Sequence, residues 1–361
     1  MFLTGATGEL GELGREVLRS LLVESSATRV TVLVRPRRSE DVESRCDELR
    51  RYVASVADGS RIDVVRGDVS HPRLGLARGS AERLKPSVTH VIHAAASIRL
   101  DAPLAEARAT NVGGTEEVLA FAGQCTRLAR YAHVGTAFVC GDREGRIDED
   151  DLDRGQGFVN AYERSKLEAE VVVRWWGRRL PVTVLRPSIV VGAAEDGRTA
   201  CFRSFYLPLR RLLAGPHRRL PGDGGTPLDL VPVDLAGEAV ARLTLDPIAE
   251  GRTYHVTAGR DNVVTADAFL AEAFRLWGRP GEEPVLDPER SPKVDPLAAH
   301  LAYLSGRRRF DDRNLVRDLG SVADRRPLPF DYLPRLLAFC RRTAWGRRLP
   351  WRCEGGLRCA G

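Results

Sequence analysis

Lysine is nearly absent from this chain of 361 residues, because arginine supplies all but three of its 55 cationic side chains. The three lysines are Lys85, Lys166 and Lys293. Runs of charge carry little functional information by themselves, so we interpret the arginine clusters as solvated surface. The sequence also lacks a nucleic-acid-binding motif. We therefore expect no nucleic-acid partner. Because the chain has so few lysines, a lysine that occurs within a motif is more informative than an arginine would be.

Long hydrophobic runs are missing as well. No segment approaches the roughly 18 apolar residues that a transmembrane helix needs. The first eight residues read as a buried strand entering a glycine-rich turn, whereas a signal peptide begins with a basic segment and a long apolar core. We therefore expect no membrane span and a cytoplasmic location.

Metal-ligand spacing is absent from the seven cysteines. Cys353 and Cys359 have neither CxxC spacing nor histidines nearby, and the other five cysteines are scattered singly. A zinc site requires clustered cysteine and histidine ligands. The sequence therefore predicts reduced thiols and no bound metal.

The first half of the chain alternates β-branched runs with amphipathic segments of helical length. This order predicts right-handed βαβ units and an α/β fold, a Rossmann-type doubly wound parallel sheet. The regularity ends near residue 196, where glycine, proline and arginine become frequent. We therefore divide the chain into 1–195, a dinucleotide-binding domain, and 196–361, a smaller substrate-binding region packed against it. Residues 228–258 are expected to return elements to the core sheet.

A glycine-rich loop follows the first predicted strand. Gly5, Gly8 and Gly11 are spaced as GxxGxxG, with Ala6 and Thr7 between the first two. Glycines at this spacing allow the backbone to approach a pyrophosphate, which then faces the free N–H groups of a helix N-terminus. The tripeptide Glu-Leu-Gly occurs twice in succession, at 9–11 and 12–14. The sequence therefore leaves open whether position 11 or position 14 is the third glycine.

The ends of the second and third strands indicate which dinucleotide is bound. Arg35 follows the second strand, and no acidic residue occurs from 32 to 38. An acidic residue at this point would hold the ribose 2′-hydroxyl of NAD, whereas an arginine accommodates the 2′-phosphate of NADP(H). Asp68 and Val69 follow the third strand, where the aspartate can accept a hydrogen bond from the adenine amino group. We therefore predict NADP(H) as the cofactor.

A YxxxK pair is the strongest catalytic signal. Residues four apart on a helix share a face, so Tyr162 and Lys166 point into the same space. A nearby cation favours the phenolate, which is expected to lower the pKa of the tyrosine from its ordinary value near 10. Thr136 follows the fifth strand, at the sheet edge where ligands bind in α/β folds. These three residues form the predicted catalytic group, and the lysine is also expected to reach the cofactor ribose.

Together these motifs resemble the extended short-chain dehydrogenases/reductases. The resemblance rests on TGATG at 4–8, HAAA at 93–96, VGTAFVCG at 134–141, NAYERSK at 160–166, LRPSIVVG at 185–192 and YHVTAG at 254–259. The segment GDVSHPRLGL at 67–76 is similar to the thioester reductase and fatty acyl-CoA reductase branch, also called the male-sterility type. This branch implies the catalytic and cofactor roles already predicted, and adds Ala94 to the cofactor-binding residues.

The resemblance implies an NADPH-dependent reductase that converts an acyl thioester, either an acyl-CoA or an acyl group bound to a carrier protein, to an aldehyde. Whether the aldehyde is reduced further to the alcohol stays open. Two alternatives stay open: an oxidoreductase of ketones, alcohols or sugar nucleotides, and a cofactor-sensing protein without catalysis. The sequence departs from the branch at the repeated tripeptide, at Gly135 in place of a serine, and at 193–196. These departures leave the substrate undefined, and the oligomeric state is equally open.

Overall fold

The computed structural model describes residues 1–7, 11–36, 42–203, 205–215, 219–290 and 298–350. Its fifteen strands are mostly short. In chain order they are β1 (Phe2–Thr4), β2 (Val30–Val34), β3 (Ile62–Arg66), β4 (His90–His93), β5 (Arg130–Val134), β6 (Gly145–Ile147), β7 (Val182–Pro187), β8 (Ile189–Val191), β9 (Arg219–Pro221), β10 (Pro227–Leu228), β11 (Leu230–Pro232), β12 (Thr253–Val256), β13 (Val264–Thr265), β14 (Val285–Asp287) and β15 (Arg308–Phe310).

The α-helices of the described residues flank these strands. They are α1 (Glu12–Glu24), α2 (Val42–Val53), α3 (Arg78–Leu84), α4 (Leu104–Arg108), α5 (Gly114–Ala122), α6 (Ala161–Trp176), α7 (Tyr206–Ala214), α8 (Val233–Leu245), α9 (Ala266–Trp277), α10 (Ala298–Leu301), α11 (Arg313–Asp318), α12 (Gly320–Ala323) and α13 (Pro329–Arg342). None of them is long and apolar enough to cross a membrane.

Seven strands form one parallel sheet in the order β3-β2-β1-β4-β5-β7-β12. This is the Rossmann strand order, so the predicted α/β fold is confirmed. The direction of winding reverses between β1 and β4. Ligands of open α/β sheets bind in the crevice outside the carboxyl ends of the strands at such a reversal. The loops after β1, β2, β4 and β5 therefore converge on one place.

Helices α1 and α8 pack against each other, and each also contacts the sheet, α1 at β1 and α8 at β5 and β7. Its apolar stripe, Val17, Leu18 and Leu21, is fully buried. A Cβ atom at Gly237 of α8 would lie 2.6 Å from the Cβ of Glu16, so only glycine permits this contact. The close packing holds the N-terminal end of α1 at the carboxyl edge of β1.

A second apolar core lies beyond β8. It joins α7, α9 and α13 through buried side chains that include Leu209, Phe269 and Leu333. Short parallel pairs, β8 with β11 and β9 with β14, connect this core to the end of β7. The part of the chain after β8 also contributes β12, which pairs in parallel with β7 at the edge of the main sheet.

Candidate active site

The loop after β1 requires glycine at its first position. Gly5 has a φ of +86°, and a Cβ atom there would lie 2.4 Å from the Ala94 carbonyl carbon and the Ala95 nitrogen. Both the left-handed backbone and the close approach exclude larger residues. Ala6 is fully buried beside it, and Thr7 is partly exposed. The exits of β1 and β4 are thus in direct contact at the switch point.

The repeated tripeptide places two glycines against this loop. Gly11 precedes the first residue of α1, and a Cβ atom there would lie 2.8 Å from the Thr7 nitrogen. A Cβ atom at Gly14 would lie only 2.3 Å from the Gly5 carbonyl oxygen. Gly14, within the first turn of α1, therefore makes the closest approach to the β1 exit. Gly8 lies outside the described residues.

Three predicted cofactor residues lie at the ends of β2 and β3. Arg35 is exposed directly after β2, and its carbonyl oxygen accepts a hydrogen bond from Arg45. The Asp68 carboxylate, after β3, accepts hydrogen bonds of 3.0 Å from the Ser70 nitrogen and 2.8 Å from its hydroxyl. Val69 is buried against Gly114. A guanidinium at this edge is free to meet a negatively charged group on the adenosine side of a dinucleotide.

Helix α6 carries the predicted tyrosine and lysine on one face. Asn160 caps this helix, because its side-chain oxygen accepts a 2.9 Å hydrogen bond from the Glu163 nitrogen. Lys166 Nζ donates a 2.9 Å hydrogen bond to the Val134 carbonyl oxygen at the end of β5. The Thr136 hydroxyl is hydrogen-bonded to Tyr162. The structure therefore brings the three predicted catalytic residues together.

The pKa of Tyr162 differs from the sequence-based expectation. Burial raises it to about 12, and the hydrogen bond from Thr136 opposes that shift. The expectation of a lowered pKa is wrong for the protein alone, because removal from water disfavours the phenolate. Burial also lowers the pKa of Lys166 to about 8, while the charge of Glu170 opposes that change. At neutral pH the phenol therefore keeps its proton and is able to donate it.

A buried ion pair supports the lysine, and sequence reasoning missed it. Glu170 lies one turn after Lys166, and both its oxygens accept hydrogen bonds from Arg186 of β7, at 2.6 and 2.9 Å. Both side chains of this pair are fully buried. The pair joins α6 to β7 and places a carboxylate near the ammonium. The sequence could have indicated Glu170, because it lies four residues after Lys166 and therefore on the same face of α6.

Asn111 is a second residue that the sequence did not reveal. It lies in a π-helical turn, Ala109–Gly113, between α4 and α5. Its side-chain nitrogen donates to the Ser97 carbonyl at 3.1 Å and to the Ser165 hydroxyl at 2.9 Å. Its oxygen accepts from the Ser97 nitrogen at 2.7 Å. Asn111 thus ties the loop after β4 to the segment of α6 between Tyr162 and Lys166.

One cavity of about 270 Å³ opens on these groups. Thr136, Tyr162, Lys166 and Ala94 line it at the sheet edge. The remaining wall comes mainly from the region after β8 and is largely apolar. It includes Phe205, Leu209, Leu212, Leu228, Phe269, Leu270, Leu301 and Leu304. A largely apolar wall with a few polar groups at one end is typical of a small-molecule binding pocket.

Comparison with known proteins agrees with this geometry. The family model described as male sterility protein, an NAD-binding family, matches residues 3–240. Fatty acyl-CoA reductase wat of Drosophila melanogaster is 27% identical over 314 residues, which cover 76% of this chain and 60% of that protein. Fatty acyl-CoA reductase 1 of Gallus gallus is 29% identical over 344 residues, covering 84% of this chain and 65% of that protein. This chain therefore spans less than two thirds of either relative.

Solved structures share the fold over nearly the whole chain. The terminal R domain from the myxalamid PKS-NRPS biosynthetic pathway matches with a TM-score of 0.78 and 26% identity, covering 95% of this chain and 91% of that one. The reductase domain of a nonribosomal peptide synthetase from Mycobacterium tuberculosis matches with a TM-score of 0.73 and 23% identity, covering 96% and 92%. The chain thus has the fold of the extended short-chain dehydrogenases/reductases, and it belongs to the male sterility protein family, an NAD-binding family.

Proposed function

We propose that this protein reduces an acyl thioester to an aldehyde with NADPH, and that a second reduction gives the alcohol. The observation that carries the proposal is the placement of Thr136, Tyr162 and Lys166 at the end of a largely apolar cavity. The family relationship supports thioester reduction in general terms. The acyl chain would occupy the cavity, with its thioester carbonyl at the tyrosine.

The residues of the site would act on the carbonyl oxygen. NADPH, when bound, supplies the hydride that adds to the carbonyl carbon. Thr136 and Tyr162 hold the developing oxyanion by hydrogen bonds, which stabilise charge that forms only in the transition state. Tyr162 then donates its proton to that oxygen. When the carbon–sulfur bond breaks, the hydroxyl proton returns to Tyr162, and the thiol leaves with a proton from solvent.

Lys166 would have a positioning role. A compact ammonium on a flexible stem reaches between a ribose hydroxyl and a phenol, which a planar guanidinium does poorly. Its bond to the Val134 carbonyl fixes it at the carboxyl edge of β5. Binding of an oxyanion beside the ammonium favours its charged form, which offsets the effect of burial. Lys166 would thus have two roles, to orient the cofactor and to assist Tyr162.

The preference for NADPH rests on the adenosine side of the site. Gly5, Ala6, Thr7 and Gly11 form the phosphate-binding loop in this proposal, with Gly14 packing behind it. The exposed Arg35 side chain lies at the end of β2, where a dinucleotide presents its ribose 2′ position. Asp68 and Val69 border the adenine. A charge-assisted bond from Arg35 would select the 2′-phosphate.

A substrate panel tests the proposal. The purified protein is supplied with NADPH and, separately, with long-chain acyl-CoA, the same acyl chain on a carrier protein, and a ketone of equal length. Cofactor oxidation is followed together with the products by mass spectrometry. Aldehyde or alcohol formed from a thioester supports the proposal. Turnover of the ketone alone would favour the alternative of a ketone and alcohol oxidoreductase, and no turnover with any substrate would favour the cofactor sensor.

A further inference from the structure

The segment between β3 and α3 contains a backbone turn that the proposed function does not explain. Arg73, Leu74 and Gly75 have φ values of +56°, +59° and +58°, so all three lie in the left-handed region. Arg73 and Leu74 are two of the four non-glycine residues with a positive φ in the part of the chain that the structure describes. A side chain makes this conformation unfavourable. Such strain persists only where the surroundings hold it, and it is frequent at functional sites.

Two contacts hold this left-handed turn. The Arg73 nitrogen donates a 2.6 Å hydrogen bond to Glu117 Oε2 of α5. A carboxylate acceptor makes such a bond shorter and stronger than a bond between neutral groups. The Leu74 side chain is fully buried in the apolar core that also contains Val69 and Leu33 of β2. The bond to α5 and the burial of the leucine therefore offset the strain.

The left-handed turn bonds back to the residue that follows β3 and Gly67. The Leu74 carbonyl oxygen accepts a 2.8 Å hydrogen bond from the Asp68 nitrogen. A Cβ atom at Gly67 would lie 2.4 Å from the same oxygen, so this close approach requires glycine. The Asp68 side chain is held by hydrogen bonds from Ser70, and 17% of it stays exposed. The conformation of the turn therefore determines where Asp68 and Val69 lie.

Helix α5 contacts Val69 as well. A Cβ atom at Gly114, the first residue of α5, would lie 3.1 Å from Val69 Cγ2 and 3.5 Å from the Val69 carbonyl oxygen. Gly114 and Glu117 are three residues apart and therefore share a face of the helix. One face of α5 thus contacts the segment 69–73 at both of its ends.

We propose that Glu117 is a positioning residue for the adenosine half of the cofactor, and that it acts through the left-handed turn. This inference rests on the proposed cofactor roles of Asp68 and Val69, and it adds a residue that does not itself touch the cofactor. The carboxylate fixes the Arg73 nitrogen, and the turn fixes Asp68 through the Leu74 carbonyl. A site that is already ordered binds its ligand more tightly, because little ordering remains to occur on binding.

The test compares wild type with Glu117→Ala, and uses Glu116→Ala as the matched control. Glu116 is the preceding residue of α5 and is exposed. Calorimetry measures the binding of the two halves of the cofactor, AMP and reduced nicotinamide mononucleotide. Glu117→Ala should bind AMP about tenfold more weakly, as expected for the loss of one charge-assisted hydrogen bond. Its affinity for the nicotinamide half, and both affinities of Glu116→Ala, should remain those of wild type.

A second variant, Glu117→Gln, separates positioning from a purely structural role. It keeps an oxygen that accepts from the Arg73 nitrogen but lacks the charge, so its loss of AMP affinity should be smaller, about threefold. Both Glu117 variants should raise KM for NADPH and keep kcat at saturating NADPH. Equal losses of affinity for AMP and for the nicotinamide half would indicate general destabilisation and overturn the inference. Glu117→Gln decides the question in the same way if Glu117→Ala does not fold.

Arg73→Gly tests whether the backbone or the guanidinium is responsible. Glycine keeps the N–H group and adopts the left-handed conformation without strain. AMP affinity should therefore stay within about twofold of wild type, because the bond to Glu117 remains. A tenfold loss of AMP affinity in Arg73→Gly, with none in Glu117→Ala, would assign the role to the guanidinium and overturn the inference.

The outcomes distinguish this inference from the proposed function. If Asp68→Ala weakens AMP binding and Glu117→Ala does not, the cofactor site stands and the inference is wrong. If the wild type binds neither AMP nor NADPH, both are rejected. If Glu117→Ala loses AMP affinity selectively in a protein that reduces no thioester, the inference stands and only the proposed reaction is wrong.

Discussion

Lys166 Nζ donates a 2.9 Å hydrogen bond to the carbonyl oxygen of Val134, so the helix that carries the YxxxK pair is bonded directly to the strand that precedes Thr136. This contact aligns residues that are about thirty positions apart in the sequence. It also places an ammonium group in a buried position, with only 2% of the residue exposed. Burial of this ammonium group therefore lowers the free energy of unfolding by an amount that depends on pH.

The burial of Lys166 predicts how stability changes with pH. Its pKa is about 8 in the folded protein and 10.5 in its ordinary state. Between these values the unfolded chain binds more protons, so this group makes the free energy of unfolding rise with pH. Lys166→Met removes that contribution. From pH 8 to pH 10.5, wild type should gain on the order of 3 kcal/mol relative to the variant.

Denaturant unfolding of both proteins at several pH values measures this difference. Other groups that titrate in the same range cancel in the comparison, because both proteins contain them. If the free energies of unfolding of wild type and Lys166→Met differed by the same amount at every pH in this range, the claim that burial lowers the pKa of Lys166 would be contradicted.

The arginine after β2 predicts the choice of cofactor. Arg35→Ala should weaken NADPH binding by about tenfold or more, because one charge-assisted bond contributes at least 1.4 kcal/mol. Binding of NADH should stay unchanged, since NADH has no 2′-phosphate. Arg127→Ala, at an exposed position before β5, is the matched control. Fluorescence titration with both cofactors gives the affinities, and an equal loss for NADPH and NADH would be inconsistent with this role of Arg35.

The packing of α1 predicts which glycine is indispensable. Gly14→Ala forces a Cβ atom to within 2.3 Å of the Gly5 carbonyl oxygen, so the loop or the helix must move. Overpacking of this kind typically costs about 1–3 kcal/mol, and the displaced loop should also bind the cofactor more weakly. Gly320→Ala is the control, because a Cβ atom there has nothing within 4 Å. Its stability should be equal to wild type or slightly higher.

Thermal melts and cofactor titrations of Gly11→Ala complete this comparison. The space at Gly11 is less restricted, with the nearest atom at 2.8 Å, so a smaller loss is expected. If Gly11→Ala were the more damaging change, the packing of α1 against β1 would have been assigned to the wrong glycine.

Much of the fold could be predicted from the sequence because its signals are local. The β-branched run at 30–34 coincides with β2, and the YxxxK pair lies on α6 as its spacing requires. The register of the glycine loop could not be predicted, since the two Glu-Leu-Gly repeats fit the apolar face of α1 equally well. The π-helical turn that contains Asn111 could not be predicted either, because the apolar pattern continues from α4 into α5 without a break.

The cavity was beyond sequence reasoning because distant segments build it. Glu12 reads as a surface residue at a helix start, and only the packing of 199–201 and α7 against it makes it buried. The pKa of Tyr162 was expected to fall because Lys166 is one turn away. Burial has the larger effect and raises it.

The most direct test of the central claim is the turnover of Tyr162→Phe with NADPH and a competent acyl thioester. The substitution keeps the ring and removes the hydroxyl that would donate the proton. General acid catalysis typically contributes about 10²–10⁴-fold, so kcat should fall by a factor in that range. NADPH affinity and the melting temperature should remain those of wild type. Turnover of Tyr162→Phe at the wild-type rate, in a folded protein that binds NADPH normally, would contradict the assignment of Tyr162 as the proton donor.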